Sequence, residues 1–350
     1  MASPLANSLP NPPMQHTSTE AESRSARGDA DANRTPVAGG AGTKRLIDHL
    51  SAGALPIGTL LIAAFFAIKT PVFLTLDNWI SISVQVASLM TISIPFAVLL
   101  MAGKVDLSVG SLLGFSGVVA GLTFPSLGPL GAPALALGVG LLVGMFNGFL
   151  VSWLSMSPII VTLGSLTLLR GMAQWFAPAP LFEFPESFVY MGFGRLLGLP
   201  ILTWITLGVL ILGVLAVRYL PIGRHAIAIG VNERAAYLVG IRVKLTGLIL
   251  YGAVGLASAL AGLMSIARIN SAPSGSLGVG VELGVLTAVL LGGIPFTGGK
   301  GSLLRVALGV WLLGMLSNGL ILMNVPTEAG LMMTGVVLVL AAALNVLRTR

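Results

Sequence analysis

Nine apolar stretches of at least 17 residues follow one another along most of this chain. A helix of about 20 apolar residues crosses the roughly 30 Å hydrocarbon core of a bilayer. Of the 350 residues, 55% are hydrophobic and only 9% are charged, whereas soluble domains carry about 25% charged residues. The sequence therefore predicts an all-α membrane protein, a polytopic helical bundle. The stretches are 52–68, 80–102, 107–124, 132–153, 158–176, 201–217, 245–267, 303–323 and 329–347.

A tenth apolar stretch, residues 281–294, has only 14 residues and predicts a broken or re-entrant helix. Ten crossings with both termini in the cytoplasm place 12 Lys and Arg residues in the inside loops and 3 in the outside loops. Nine crossings would put the C-terminal Arg348 and Arg350 outside, against the positive-inside rule. We therefore predict about ten transmembrane helices, with both termini cytoplasmic.

Residues 1–43 differ from the rest, because they are rich in Ser, Pro, Asn and Ala and contain no apolar run. Such a segment is predicted to be a disordered cytoplasmic tail, and without a hydrophobic core region it is not a cleavable signal peptide. The transmembrane domain is predicted over residues 44–350. The net charge of +7 follows the membrane loops, so it does not indicate a nucleic-acid partner.

Glycine pairs four residues apart recur in the third and fourth apolar stretches, for example Gly110/Gly114 and Gly117/Gly121, or Gly140/Gly144 and Gly144/Gly148. Small residues at this spacing let helices in lipid pack backbone against backbone. We expect close helix packing at these positions.

The segment "GRHAIAIGVNERAAYLVGI", residues 223–241, lies in the largest predicted cytoplasmic loop. Asn232 is a favourable N-cap, Glu233 suits the positive end of a helix dipole, and Gly240 is a natural helix stop. A short helix of about two turns is predicted between them. A helix of this length is marginal alone, so it needs a surface to lie against.

The same segment resembles the cytoplasmic loop of the ribose-type sugar permeases of bacterial ABC importers. Three further stretches resemble that family in the same order: "AGKVDLSVGSLLGFSGVVAG" from residue 102, "SPIIVTLGSLTLLRGMA" from residue 157 and "VLTAVLLGGIPFTGGKGS" from residue 285. The residues of the loop that match the family pattern, or its broader Glu-Ala-Ala form, include Gly223, Arg224, Gly230, Asn232, Glu233, Ala235, Ala236 and Gly240.

The resemblance implies a permease subunit that is not itself an enzyme and needs no cofactor. The short helix would be a coupling helix that docks on a cytoplasmic ABC ATPase, with Ala236 expected in close contact. A periplasmic binding protein would deliver a monosaccharide or polyol, whose identity the sequence does not specify. A second permease subunit, identical or different, would complete the membrane unit.

Polar residues inside or beside the apolar stretches are candidates for the translocation path, because a hydroxyl-rich substrate needs donors and acceptors. They are Gln85, Ser88, Asp106, Asn147, Thr162, Ser165 and Asn318. Hydrogen bonding between helices is the alternative role. Asp106 and Glu282 either cap helices or act in permeation, and Arg170 either extends to the outer interface or pairs inside the bundle.

A proton- or sodium-coupled secondary transporter is the alternative function, with Asp106 or Glu282 as the titrating group. Such a carrier would not need the coupling loop. Cys is absent and the three His are scattered, so no metal site is predicted. "GGKGS", residues 298–302, is not a phosphate-binding loop, because Lys300 is followed by Gly301 rather than Ser or Thr.

The absence of native Cys makes the predicted topology directly testable. Val231→Cys should react with a membrane-impermeant maleimide only from the cytoplasm, and Ser187→Cys only from the periplasm. Labelling of intact cells and of inverted vesicles measures this. The opposite pattern at either position would contradict ten crossings with a cytoplasmic N-terminus.

Overall fold

The computed structural model of the chain describes residues 40–349, with side chains from residue 55 to residue 343 apart from residues 327, 331 and 334. The predicted tail, residues 1–43, falls almost entirely outside the described residues. The chain divides into a unit of residues 1–49 and a unit of residues 50–350, and the fold below is that of the second.

The described residues are mostly helical, as the sequence predicts. Before the predicted cytoplasmic loop, the helices are α1 (Gly40–Lys69), α2 (Leu76–Gln85), α3 (Ala87–Met101), α4 (Val109–Ser152), α5 (Pro158–Phe176), α6 (Glu186–Phe193) and α7 (Ile201–Tyr219). From the loop onward they are α8 (Pro221–Val231), α9 (Glu233–Leu238), α10 (Val243–Ile269), α11 (Val281–Leu291), α12 (Leu303–Leu322) and α13 (Thr327–Thr349). Four two-residue strands complete the described elements: β1 (Leu181–Phe182), β2 (Arg195–Leu196), β3 (Leu199–Pro200) and β4 (Ser271–Ala272).

Five helices of the described residues are long and apolar enough to cross a membrane, namely α4, α5, α7, α10 and α12. A sixth crossing arises if α2 and α3, which meet at a bend of 52°, are taken as one broken span. Apolar helices too short for this criterion occur at Leu55–Lys69, Val281–Leu291 and Glu328–Ala343. The structure thus confirms a multi-pass helical protein but does not confirm the count of ten.

Helix α4 folds back on itself at Gly128, whose φ of 67° and ψ of −174° are not helical. A continuous helix would separate Ser108 from Asn147 by about 58 Å at 1.5 Å per residue. Instead, the Nδ2 of Asn147 donates to the Oγ of Ser108 at 3.1 Å. The two halves of α4 are therefore antiparallel neighbours, as the two separate apolar stretches 107–124 and 132–153 predict.

Helix α10 lies at the centre of the bundle and is buried along most of its length. Glycines make this possible. A Cβ on Gly144 would collide with the carbonyl oxygen of Tyr251 and with Gly255, and one on Gly140 would collide with Ala259 and Gly255. The expected backbone-to-backbone packing of the glycine pairs is confirmed here, and Gly110, Gly114 and Gly117 show the same close approach to neighbouring backbone or side chains.

One end of the bundle is closed by α6 and by the strands. Strand β1 pairs with β4 and β2 pairs with β3, both antiparallel. Phe124, Phe184 and Phe188 pack their rings together with centroids 4.7 to 6.2 Å apart. Gly192 of α6 contacts the backbone of Ala267. At the opposite end, α8 packs on α3 and on the segment before α12, and α9 packs on α8 and α10; this end carries the candidate site.

The packing of α4 on α10 predicts a position-specific effect of adding one methyl group. Gly144→Ala should lower the free energy of unfolding by about 1–3 kcal/mol, because the new Cβ overpacks a backbone contact. Gly138→Ala is the matched control in the same helix, since nothing lies within 4 Å of its Cβ position, and it should be neutral or slightly stabilising. Thermal unfolding in mild detergent measures both. Equal melting temperatures would contradict the close contact.

Candidate functional site: an exposed helix pair and a buried polar chain

The predicted short helix is present as α9, and its ends are formed by the predicted residues. The Oδ1 of Asn232 accepts a hydrogen bond from the N–H of Ala235 at 2.9 Å. Gly240 has a φ of +87°, and the N–H of Ile241 donates to the carbonyl of Ala236 at 3.1 Å, which closes the helix end.

Helix α8, which precedes α9, was not predicted from the sequence. Pro221 in its first turn is a signal for it, because proline favours the first turn of a helix. Gly223 lies against the backbone of Val217, which brings the start of α8 close to the end of α7. Arg224 is exposed. The loop is thus a helix pair rather than one short helix.

Gly230 near the end of α8 is the point where three segments meet. A Cβ here would collide with the carbonyl of Met101 and with the N–H of Gly299. Those two groups are themselves hydrogen-bonded, at 2.8 Å. Gly298 and Gly299 have φ of +75° and +79°, so the glycines of "GGKGS" shape a turn at this contact.

The helix pair exposes several large apolar side chains beside exposed charged ones. Tyr237, Leu238 and Val239 are 69%, 76% and 77% exposed, and Val231 is 71% exposed. Ala236 is only 3% exposed and belongs to the core of its own subunit. The expectation that Ala236 makes close contact with a partner is therefore wrong, because its side chain faces inward. Ala235, the other alanine of the pattern, is exposed.

Glu233 links α9 to the segment between α3 and α4. Its Oε1 lies 3.6 Å from the Nζ of Lys104. Lys104 is 8% exposed, whereas the Glu233 side chain is 59% exposed. Such a pair contributes at most about 1 kcal/mol to stability. Its main effect is on the relative position of the two segments.

Three of the seven path candidates, together with Ser108, form one chain of hydrogen bonds inside the bundle. The Oδ1 of Asp106 accepts from the N–H and the Oγ of Ser108, at 2.9 and 2.5 Å. Asn147 donates from its Nδ2 to the Ser108 Oγ, and its Oδ1 accepts from the Oγ of Ser165 at 2.6 Å. Asp106, Ser108 and Asn147 are fully buried, and the Oδ2 of Asp106 has no hydrogen-bond partner in the part of the chain that the structure describes.

The other four path candidates lie elsewhere or bond within their own helix. Gln85 donates to Ser81, and Thr162, one turn from Ser165, donates to the Pro158 carbonyl. Ser88 pairs with Ser265 of α10 at 2.9 Å. Asn318 of α12 accepts from Asn78 of α2 at 3.0 Å. Ser88 and Asn318 therefore join helices, and the structure does not bring the seven together.

Glu282 is half-buried. It is in the first turn of α11, its carboxylate approaches Gly110 of α4, and its Oε2 is buried without a hydrogen-bond partner among the described residues. The Arg170 Nη2 is likewise buried, and no described residue bonds to it. Within the part of the chain that the structure describes, no three His, Cys, Asp or Glu residues lie close enough to hold a metal ion.

An exposed helix pair that contacts the ends of apolar helices, together with a chain of polar side chains inside the bundle, fits a membrane permease subunit. The sequence comparison agrees. Residues 78–342 match the model of a family described as the permease component of the branched-chain amino acid transport system. The chain belongs to this family, and it is an ABC-type import permease subunit and a multi-pass inner-membrane protein.

Curated relatives of the chain are permease subunits, which are not themselves enzymes. The ribose import permease protein RbsC of Escherichia coli (strain K12) is 32% identical over 83% of this chain and 92% of its own length. The homologous RbsC of Bacillus subtilis (strain 168) is 34% identical over 83% and 91%. The D-allose transport system permease protein AlsC of Escherichia coli (strain K12) is 34% identical over 84% and 90%. No solved structure matches the chain.

The buried polar chain predicts that Asn147 contributes to stability. Asn147→Ala should lower the free energy of unfolding by about 1–3 kcal/mol, because Ser108 and Ser165 each lose a hydrogen-bond partner in a buried site. Thr167→Ala is the matched control, since the Thr167 hydroxyl is exposed and bonds only to its own helix. Equal thermal unfolding of the two variants would contradict the role of the chain in joining α4 and α5.

Proposed function

We propose that the chain is the membrane subunit of an ATP-driven importer of a neutral monosaccharide or polyol. The observation that carries the proposal is the exposed apolar face of Val231, Tyr237, Leu238 and Val239 on the helix pair. These residues lie in the segment that resembles the family's loop, and not in an apolar stretch that could span the membrane. In the proposed topology this face is on the aqueous side, where lipid does not cover it, so it is an interaction surface.

The partner that fits this face is a cytoplasmic ABC ATPase. ATP binding and hydrolysis by that partner supply the energy, and the permease subunit itself hydrolyses nothing. A periplasmic binding protein delivers the substrate at the opposite end, near α6 and the strands. A second permease subunit, a copy of this chain or a different one, completes the assembly.

The proposed topology has ten crossings with both termini in the cytoplasm. Two features support it. Helix α4 folds back at Gly128, so the five long helices supply six crossings, the bent pair α2 and α3 a seventh, and the three shorter apolar helices the remaining three. The resulting inside loops hold most Lys and Arg residues. The tail of residues 1–43 is then cytoplasmic as well.

The helix pair is positioned to transmit movement from the ATPase to the membrane helices. Gly230 touches the end of α3 and the turn before α12 by backbone contact. Glu233 touches Lys104, two residues before Asp106. A displacement of α9 therefore reaches the buried chain of Asp106, Ser108 and Asn147 through a segment of only a few residues.

A sugar is the substrate class that the proposal favours. The relatives named above import ribose or allose by name, and another is an autoinducer 2 import permease. The polar residues of the bundle are mainly hydroxyls and amides, which can exchange hydrogen bonds with sugar hydroxyls. A charged substrate would require a complementary charge at membrane depth, which is costly.

The secondary transporter is the second candidate, because Asp106 and Glu282 each have a buried carboxylate oxygen with no hydrogen-bond partner among the described residues. This candidate leaves the exposed helix pair without a role, and the family is one of ABC-type permeases.

Uptake in proteoliposomes separates the two candidates. With the ATPase and the binding protein, and with ATP inside, labelled ribose or allose should accumulate even when a protonophore collapses the proton gradient. Asp106→Asn should lower the rate, if it changes it, without creating a dependence on the gradient.

The control omits the ATPase while an inward pH gradient is imposed. Uptake should then be absent. Accumulation by this chain alone under the pH gradient would show that the secondary-transporter hypothesis was correct.

A further inference from the structure

A groove of about 470 Å³ runs along the membrane-facing surface between α3, α7 and α10. Its lining is apolar throughout. Ile94 and Leu250 form a buried floor, whereas Leu212 and Ile249 form exposed edges, with 67% and 50% of their surface accessible. A helix surface that only contacts bulk lipid does not need a recess of this depth.

Small residues create the recess. Gly213 lets α7 lie directly against the side chain of Ile94, since a Cβ there would collide with it. Ala216 of α7 faces Ala253 and Ala257 of α10 across the groove. The helices are thus close at the floor and their small side chains leave the space above it empty.

The length of the groove matches one leaflet of a bilayer. Along α10 it extends from Ile249 to Leu260, which is about 16 Å at 1.5 Å per residue. Half of a hydrocarbon core of roughly 30 Å is about 15 Å. An extended acyl chain of one leaflet fills a groove of this length.

One end of the groove is basic. It ends at Val217 and Ile222, which are close in sequence to the exposed residues Arg218 and Arg224, and Lys244 is exposed in the first turn of α10, before the groove residue Ile249. None of these three has an ion-pair partner among the described residues; the nearby acid Glu233 is paired with Lys104. Basic residues at the cytoplasmic end of a pocket between transmembrane helices attract anionic headgroups.

We propose that this groove binds one acyl chain of an anionic phospholipid of the cytoplasmic leaflet, with the phosphate held at the Arg218 and Lys244 end. Val217 and Ile222 flank the junction between α7 and α8, so the bound lipid supports the position of the cytoplasmic helix pair. Only the assignment of the leaflet rests on the proposed topology. Lipid retention is measured without transport. The lipid proposal can therefore fail while the proposed function holds, and the proposed function can fail while the lipid proposal holds.

Native mass spectrometry of the full chain, released from mild detergent, tests the proposal with phosphatidylglycerol and phosphatidylcholine of identical acyl chains. The wild type should retain one phosphatidylglycerol about tenfold better than phosphatidylcholine. Ala253→Phe should abolish this retention by filling the groove, whereas Ala64→Phe, on the exposed side of α1, should not.

The double variant Arg218→Gln/Lys244→Gln should remove the headgroup preference, whereas Arg305→Gln should keep it.

A second measurement keeps the test valid if Ala253→Phe fails to fold. Bimane on Leu212→Cys, at the exposed edge of the groove, should be quenched by low mole fractions of brominated phosphatidylglycerol more strongly than bulk mixing predicts, and bimane on Ala64→Cys only in proportion to bulk. Equal retention of the two lipids by the wild type, or proportional quenching at both positions, would overturn the proposal. Disulfide cross-linking of Ala253→Cys between two copies of the chain would also overturn it, since the groove would then be a subunit interface.

Discussion

Hydrocarbon offers no hydrogen-bond partner to a backbone N–H or C=O, so every break in a helix at membrane depth must be satisfied by the protein itself. The structure meets this requirement by burying its breaks against other segments. The hydroxyl of Tyr251 donates to the Val105 carbonyl at 3.0 Å, and Gly299 donates to Met101. Ser274, in the irregular segment before α11, donates to the Ala177 carbonyl at 2.5 Å.

The same constraint separates two kinds of apolar surface. Apolar side chains on the membrane helices are covered by lipid, and the proposed acyl-chain groove is a shaped part of that surface. In the proposed topology, the apolar side chains of α8 and α9 lie beyond the lipid and need a protein partner. Because Gly230 places α8 directly on the breaks after α3 and before α12, that partner would act on the places where the helices are discontinuous.

The sequence predicted the elements whose signal is local. Apolar length indicated the membrane helices, Asn232 and Gly240 indicated the ends of α9, and the glycine pairs indicated close packing. It did not predict which polar residues would meet, because the contacts of Asp106, Asn147 and Ser165 depend on how their helices are rotated against one another. Nor did it predict the inward orientation of Ala236, since a six-residue helix gives too little periodicity to show which face is buried.

The central claim is that the exposed face of α9 binds the ATPase that drives transport. Retention of the co-expressed ATPase on the purified, membrane-extracted permease tests it most directly. Leu238→Asp places a charge in the middle of the face and should abolish retention, while Leu154→Asp, an exposed apolar position in the short segment after α4, should leave it unchanged. Normal retention with Leu238→Asp would contradict the account.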